Sequence, residues 1–294
     1  AVSLVKTFTD NISRVGEGSR RFRQLKKQLF EEFEPDCVIT DFEPMTAYLA
    51  NHFDLPLISI DNQHRMRYME YPRPADLRKD AHVTETVIRA MVPRPDVSLV
   101  TTFYFGPVKN ERTFLFPPIL RKEILEQPTS NGEHILVYLT SGFSSFVDRL
   151  AEFDREAFRI YGSHHEGERG NLSFRPFSRD GFLHDLASSR SVMATAGFTL
   201  ITESLHLGKP YLALPMKGQF EQELNAHWLA KLNYGINLRR IRSEAVGNFL
   251  YLVPDFKAHL NDYRAVDNTA IKDKLGELLA DNCALARDYH RLRK

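Results

Sequence analysis

From residue 20 to residue 33 the apolar side chains Phe22, Leu25, Leu29, Phe30 and Phe33 recur at helical spacing, with Lys and Glu between them. That spacing predicts an amphipathic helix. After Pro35 the pattern changes to a continuous run, Cys37-Val38-Ile39-Thr40, then a helix-like segment to Phe53 and a second run, Leu57-Ile58-Ser59-Ile60. A run, a helix and a run read as a βαβ unit, and runs without alternation mark strands covered on both faces of a parallel sheet. Val97 to Val100, Thr113 to Phe116, Ile135 to Leu139, Phe158 to Tyr161, Ser191 to Ala194 and Tyr211 to Leu214 repeat the grammar, with helical patterns between most of them. Two doubly wound α/β lobes, Rossmann-like in pattern, account for it.

Pro117-Pro118 and Asn131-Gly132 bracket a polar stretch rich in turn formers, so a linker is expected near Arg121 to Glu133 and a hinge between Pro117 and Gly132. This divides the chain into domains at residues 1–125 and 126–294. Ile271, Leu275, Leu278, Leu279 and Leu285 predict a terminal helix with room for one break. The length of 294 residues suits two domains, and 43% hydrophobic with 26% charged residues suits globular ones. A net charge of +1, from 39 basic and 38 acidic residues, supplies no field for nucleic acid, and any anion site must be local. Two cysteines, Cys37 and Cys283, are too few for a disulfide framework, and no apolar run reaches the roughly 18 residues of a membrane span. A cytoplasmic protein is expected, with peripheral contact to the inner membrane and the oligomeric state left open.

The chemistry concentrates after the run Ser191 to Ala194, in Thr195-Ala196-Gly197-Phe198-Thr199-Leu200-Ile201-Thr202-Glu203. A strand, a small-residue turn and a helix start leave backbone N–H groups and the positive end of the helix dipole facing outward, which suits a phosphate. Glu203, four residues after Thr199, projects on the same side. Its carboxylate is suited to two ribose hydroxyls, or it is an ordinary acidic residue near a helix start. Further on, Glu221-Gln222 opens another helix with groups suited to sugar hydroxyls, or with plain helix-start acidity.

Taken together, Gly197, Glu203, Gly208, Pro210, Pro215, Glu221-Gln222 and Asn225-Ala226 resemble the donor signature of GT-B glycosyltransferases. The order is similar to the plant-type UDP-glycosyltransferase box and to the peptidoglycan N-acetylglucosaminyltransferase. The phrase Gly218-Gln219-Phe220-Glu221-Gln222-Glu223 most resembles a bacterial and archaeal glycosyltransferase group. The resemblance implies a GT-B fold of two Rossmann-like domains facing a cleft, with the terminal helix packing back on the first domain. It implies that amides around Phe198, Thr199 and Leu200 hold the donor diphosphate, Glu203 the ribose, and Glu221 with Gln222 the transferred sugar. Thr140-Ser141-Gly142-Phe143-Ser144 resembles the loop facing the diphosphate, which adds Ser141 and Gly142 to the donor set. One extra residue separates Pro215 from Glu221, and Thr195 stands where the box has His, so a side-chain phosphate contact there is through hydroxyl or absent. The family's first strand and its Gly- and His-containing loop have no counterpart before Asp10, so an incomplete N-terminal domain is expected.

Thr40-Asp41-Phe42-Glu43-Pro44 and Asp61-Asn62-Gln63-His64 follow first-domain strands, where ligands of open α/β sheets bind. Asp41, Glu43 and His64 are the candidate catalytic residues, to deprotonate an acceptor hydroxyl or to orient the one that does, with a structural role such as helix capping by Asp41 as the alternative. His164-His165-Glu166 reads as a solvated loop without a second metal-ligand pair, and Arg239, Arg240 and Arg242 are too short a cluster to argue for nucleic acid.

The resulting expectation is metal-independent, base-assisted transfer of a hexose from a nucleotide-diphosphate sugar such as a UDP-sugar to an unidentified hydroxyl acceptor, with inversion as the family resemblance implies. No cofactor is expected, since the nucleotide sugar is a substrate. Cell-envelope or secondary-metabolite glycosylation is the context. A nucleotide-sugar 2-epimerase of the same fold and a non-catalytic nucleotide-sugar-binding protein are the alternatives.

Overall fold

The structure, a computed structural model, describes residues 22–71, 75–139, 144–163, 165–261, 263 and 267–293. Contacts divide the chain into two compact units, residues 1–119 with 266–294, and residues 120–265. The sequence expectation counted 126–294 as one domain whose terminal helix packs back on the first. By contacts, that helix is part of the first unit.

The first unit holds a parallel sheet in the order β1-β2-β3-β4, formed by Val38–Thr40, Leu57–Asp61, Val97–Thr101 and Thr113–Phe116. Neighbouring residues of β2 serve opposite faces, as the strand period of two requires. Leu57 packs with Phe30, Leu49 and Ala50. Ile58 packs with Leu99, Ile271, Leu278 and Ala286, which brings the terminal helix Thr269–Arg293 over the other face. That helix breaks at residues 280–283, where Asp281, Asn282 and Cys283 take positive φ of 50°, 54° and 62°.

The amphipathic helix near the N-terminus winds as a π-helix over Lys26–Glu32. The wider turn no longer stacks residues at a spacing of 3.6. Phe30 is therefore buried, while Leu29 and Phe33, expected on the same face, are exposed.

The second unit has a seven-stranded sheet in the order β11-β10-β9-β5-β6-β8-β7. Its strands are His134–Tyr138 (β5), Ala157–Tyr161 (β6), Gly167–Arg169 (β7), Leu172–Phe174 (β8), Ser191–Thr195 (β9), Tyr211–Leu214 (β10) and Gly235–Asn237 (β11). All pairs are parallel except β7 with β8. The chain runs outward from β5 through β6, returns to β9 beside β5, and runs outward the other way. The point where the order reverses lies between β5 and β9, and open α/β sheets bind ligands at that point. Three strands escaped the sequence pattern. β7 is wholly exposed and polar, β8 has three residues, and β11 starts at Gly235, where a Cβ would come within 1.8 Å of the Tyr211 carbonyl oxygen. Among the described residues no helix is long and apolar enough to cross a membrane.

Candidate functional site

β9 ends at Thr195, and the chain turns through Ala196 and Gly197 into the helix Phe198–His206. Two buried side chains fix the turn. The Tyr211 hydroxyl donates to the Thr195 carbonyl at 2.7 Å, and the Asn225 amide donates to the Ala196 carbonyl at 2.9 Å. No side chain caps the helix, because Gly197 stands at the N-cap with extended backbone (φ −70°, ψ 139°). A Cβ on Gly197 would meet nothing within 4 Å among the described residues, which leave the space before the helix start open. An uncapped helix N-terminus beside open space meets the electrostatic requirement of a phosphate.

Glu203 lies one turn further, and its side chain is only 7% exposed. Arg121 grips it with both ends of a fork, Nε to Oε1 at 2.8 Å and Nη2 to Oε2 at 3.1 Å. Burial pushes the Glu203 carboxyl pKa up, and the Arg121 guanidinium pulls it back down. The expected helix-start acid is thus a desolvated carboxylate with one cationic partner.

Both residues line a cavity of about 390 Å³, together with Tyr138 at the end of β5 and Thr199 and Leu200 in the first turn of the helix. The cavity therefore sits at the β5/β9 reversal. Phe182 and Phe177 supply further aromatic lining. The Phe182 ring meets Tyr138 edge-on, with centroids 5.4 Å apart, and Phe177 is 76% exposed. Aromatic faces of this kind suit a planar heterocycle. A larger hollow, about 600 Å³, opens beside His134 and Ala157 at the amino ends of β5 and β6. It lies at the wrong end of the sheet for the ligand geometry of this fold class, so we regard the smaller cavity as the site.

Other members of the expected donor set lie elsewhere. Ser141 and Gly142 fall outside the described residues. Glu221 and Gln222 are half-buried in the first turn of the helix Phe220–Lys231 and do not line the cavity. The Gln222 amide is engaged locally, accepting from the Met216 backbone at 3.1 Å and donating to Gln219 Oε1 at 2.7 Å.

In the first unit, β1 and β2 are parallel neighbours, so the loops after them share one sheet edge. The Phe42 and His64 rings meet edge-on there, with centroids 6.2 Å apart. The capping expectation is reversed. Glu43, not Asp41, caps the helix Pro44–His52, accepting from the backbone of Met45 and Thr46 at 2.8 Å each and from the Thr46 hydroxyl at 2.7 Å. Pro44 at the first helical position fixes Glu43 as the cap. Asp41 is exposed. His64 is fully buried, stacks on Tyr68 at 5.2 Å, and presents Nδ1 to Asp61 Oδ2 at 2.7 Å.

Sequence reasoning named none of Arg121, Asn225 or Asp61 as a functional group. Asn225 was visible as part of the motif, while Arg121 and Asp61 acquire meaning only from their partners. His165 and Glu166 are exposed, and His164 lies outside the described residues. Among the described residues no group of three or more His, Cys, Asp or Glu side chains forms a metal-holding cluster.

The family described as Glycosyl transferase family 1 matches residues 1–254. An uncharacterized glycosyltransferase of Methanosarcina mazei is 24% identical over 234 residues, 71% of this chain and 61% of that protein. A second, from Methanosarcina acetivorans, matches to the same extent. The chain thus spans 61% of the length of these curated relatives. Among solved structures, Arabidopsis thaliana UGT89C1 complexed with UDP-L-rhamnose aligns with a TM-score of 0.63 at 16% identity, covering 95% of this chain and 78% of that one. The glycotransferase of kitacinnamycin aligns at 0.62 and 18% identity, covering 87% and 79%. LpCGTa in complex with UDP aligns at 0.60 and 15%, covering 90% and 80%. At these identities the likeness is one of fold, and the fold is GT-B.

Proposed function

The chain belongs to glycosyl transferase family 1, and from that we propose that it transfers a sugar from a nucleotide-diphosphate donor, held in the second unit, to an acceptor hydroxyl. The observation that carries the proposal is the cavity at the β5/β9 reversal, where an uncapped helix N-terminus and the buried Glu203 carboxylate stand side by side. In this reading the diphosphate lies against the backbone of Thr199 and Leu200. Glu203 accepts the ribose hydroxyls, and the base lies among Tyr138, Phe177 and Phe182. Two solved structures of the same fold were determined with UDP or UDP-L-rhamnose bound, which supports a nucleotide-sugar donor here.

Transfer breaks the bond between the sugar and the diphosphate, and negative charge grows on the leaving group. Fixed N–H dipoles at the helix start stabilise that charge most in the transition state, without requiring a metal. The acceptor hydroxyl must lose its proton as it attacks. Asp41 is exposed after β1, while the equally exposed Glu43 is engaged as a helix cap, so Asp41 is our candidate for that role. His64, oriented by Asp61, is the buried candidate, in the loop after the neighbouring strand β2. Glu43 acts as a cap.

The test is incubation with a panel of nucleotide sugars and hydroxyl acceptors, with and without EDTA, read by mass spectrometry. A glycosylated product formed equally in EDTA is expected. Donor binding with no transfer to any acceptor would favour a non-catalytic binding protein, and a donor isomerised at the sugar would favour an epimerase.

A further inference from the structure

We infer that Arg121 is a positioning residue of the nucleotide site: it keeps the Glu203 carboxylate ionised and in one orientation, and so makes the site selective for ribonucleotides over 2′-deoxyribonucleotides. The inference rests on the proposed assignment of Glu203 to the ribose.

Arg121 stands at the N-cap of the short helix Lys122–Leu125 but makes no side-chain cap there. Its guanidinium reaches a residue 82 positions away and donates to both carboxylate oxygens. The two side chains differ in exposure, 35% for Arg121 and 7% for Glu203, so the acid is the desolvated member. Left alone, a buried carboxyl group drifts toward its neutral form, which carries a proton where a ribose hydroxyl needs an acceptor. Arg121 opposes that drift.

Orientation is the second effect. The terminal torsion of a glutamate is soft, and a lone carboxylate rotates freely about it. A two-point fork removes that freedom. An ionised carboxylate offers about four acceptor positions, two on each oxygen. The fork takes one position on each, leaving one on each, which is the arrangement a vicinal diol requires. Removing one hydroxyl of the diol leaves a buried, oriented acceptor unpaired, and sites built to bond a hydroxyl reject the analogue lacking it far more strongly than apolar pockets do. A lysine in place of Arg121 would supply the charge without the fork.

The experiment is measurement of dissociation constants for UDP and 2′-deoxy-UDP on the full chain, across pH, for the natural protein and for Arg121→Met, Arg121→Lys and Glu203→Gln. The natural protein is expected to prefer UDP by about tenfold or more, the lower range for a hydrogen bond to a charged group. Arg121→Met should reduce that preference several-fold, and its UDP affinity should fall away at a higher pH than in the natural protein as Glu203 takes up a proton. Arg121→Lys should restore the pH profile and only part of the preference. Should the Met variant fail to fold by circular dichroism, the Lys variant decides by its split between the two readouts. A folded Arg121 variant with unchanged preference and unchanged pH profile overturns the inference, and leaves the ribose assignment standing if Glu203→Gln still weakens UDP. Unchanged UDP binding by Glu203→Gln would remove the ribose assignment itself, and the inference with it.

Discussion

The carboxylate of Asp61 holds His64 at two points: Oδ1 accepts the His64 backbone N–H at 2.8 Å, and Oδ2 lies 2.7 Å from Nδ1. Both side chains are fully buried. A carboxylate only accepts, so the Nδ1 proton points at Asp61, and Nε2 has no partner among the described residues. Asp61→Asn is expected to cost about 1–3 kcal/mol of stability, because it leaves a buried donor facing a donor. Urea unfolding checks this, and an unchanged midpoint and slope would show that the pair contributes nothing net.

Asp41 and Glu43, two residues apart, should separate cleanly. Glu43→Ala removes a helix cap and should cost about 0.5–2 kcal/mol of stability with transfer largely retained. Asp41→Asn should leave stability nearly unchanged and lower kcat by about 10²–10⁴, the usual contribution of a general base. Parallel melting curves and turnover measurements on the two variants check the assignment, and a reversed pattern would exchange their roles.

These two carboxylates also show what the sequence could disclose. Pro44 marks the first helical position, so the cap at Glu43 was legible, but Asp41 looked equally eligible by residue type alone. Parallel strands buried on both faces write themselves as apolar runs, which is why eight of the eleven strands among the described residues were visible in outline. β7 and β11 carry no such signal, since one is exposed and the other consists of Gly235, Ile236 and Asn237. Glu203 was legible through its spacing from Thr199. Arg121 was not, because a polar stretch between prolines reads as linker, and only folding brings its fork to Glu203. Cys37 and Cys283 likewise looked unrelated, 246 positions apart, yet their sulfurs lie 3.0 Å apart.

That proximity predicts a specific oxidation. Oxidised glutathione should convert the two thiols to a Cys37–Cys283 disulfide, releasing two molecules of reduced glutathione through a mixed-disulfide step. Burial pushes the Cys37 thiol up to about 12, so the reaction should be slow at neutral pH and accelerate as pH rises. Peptide mapping by mass spectrometry reads the linkage. Stable mixed disulfides with no internal bridge would contradict the observed placement.

Lys209 is fully buried, donates to the Ser130 carbonyl, and has its pKa lowered from 10.5 to about 8 by burial and then by Lys257. The folded chain therefore releases this proton more readily than the unfolded chain, and the resulting cost is fully present below pH 8. Stability from this group should rise with pH, by at most roughly 3 kcal/mol between pH 8 and 10.5. Lys209→Met should flatten that rise when urea unfolding is followed across the range. Equal slopes for the two proteins would place the lysine's titration elsewhere.

The most direct test of the central claim is calorimetric titration of UDP into the natural chain and into folded Glu203→Ala. If the cavity at the β5/β9 reversal holds a nucleotide diphosphate with Glu203 on its ribose, the variant should bind more weakly by about 1.5–3 kcal/mol, the range for hydrogen bonds to a charged group. The same dissociation constant for both proteins would contradict it.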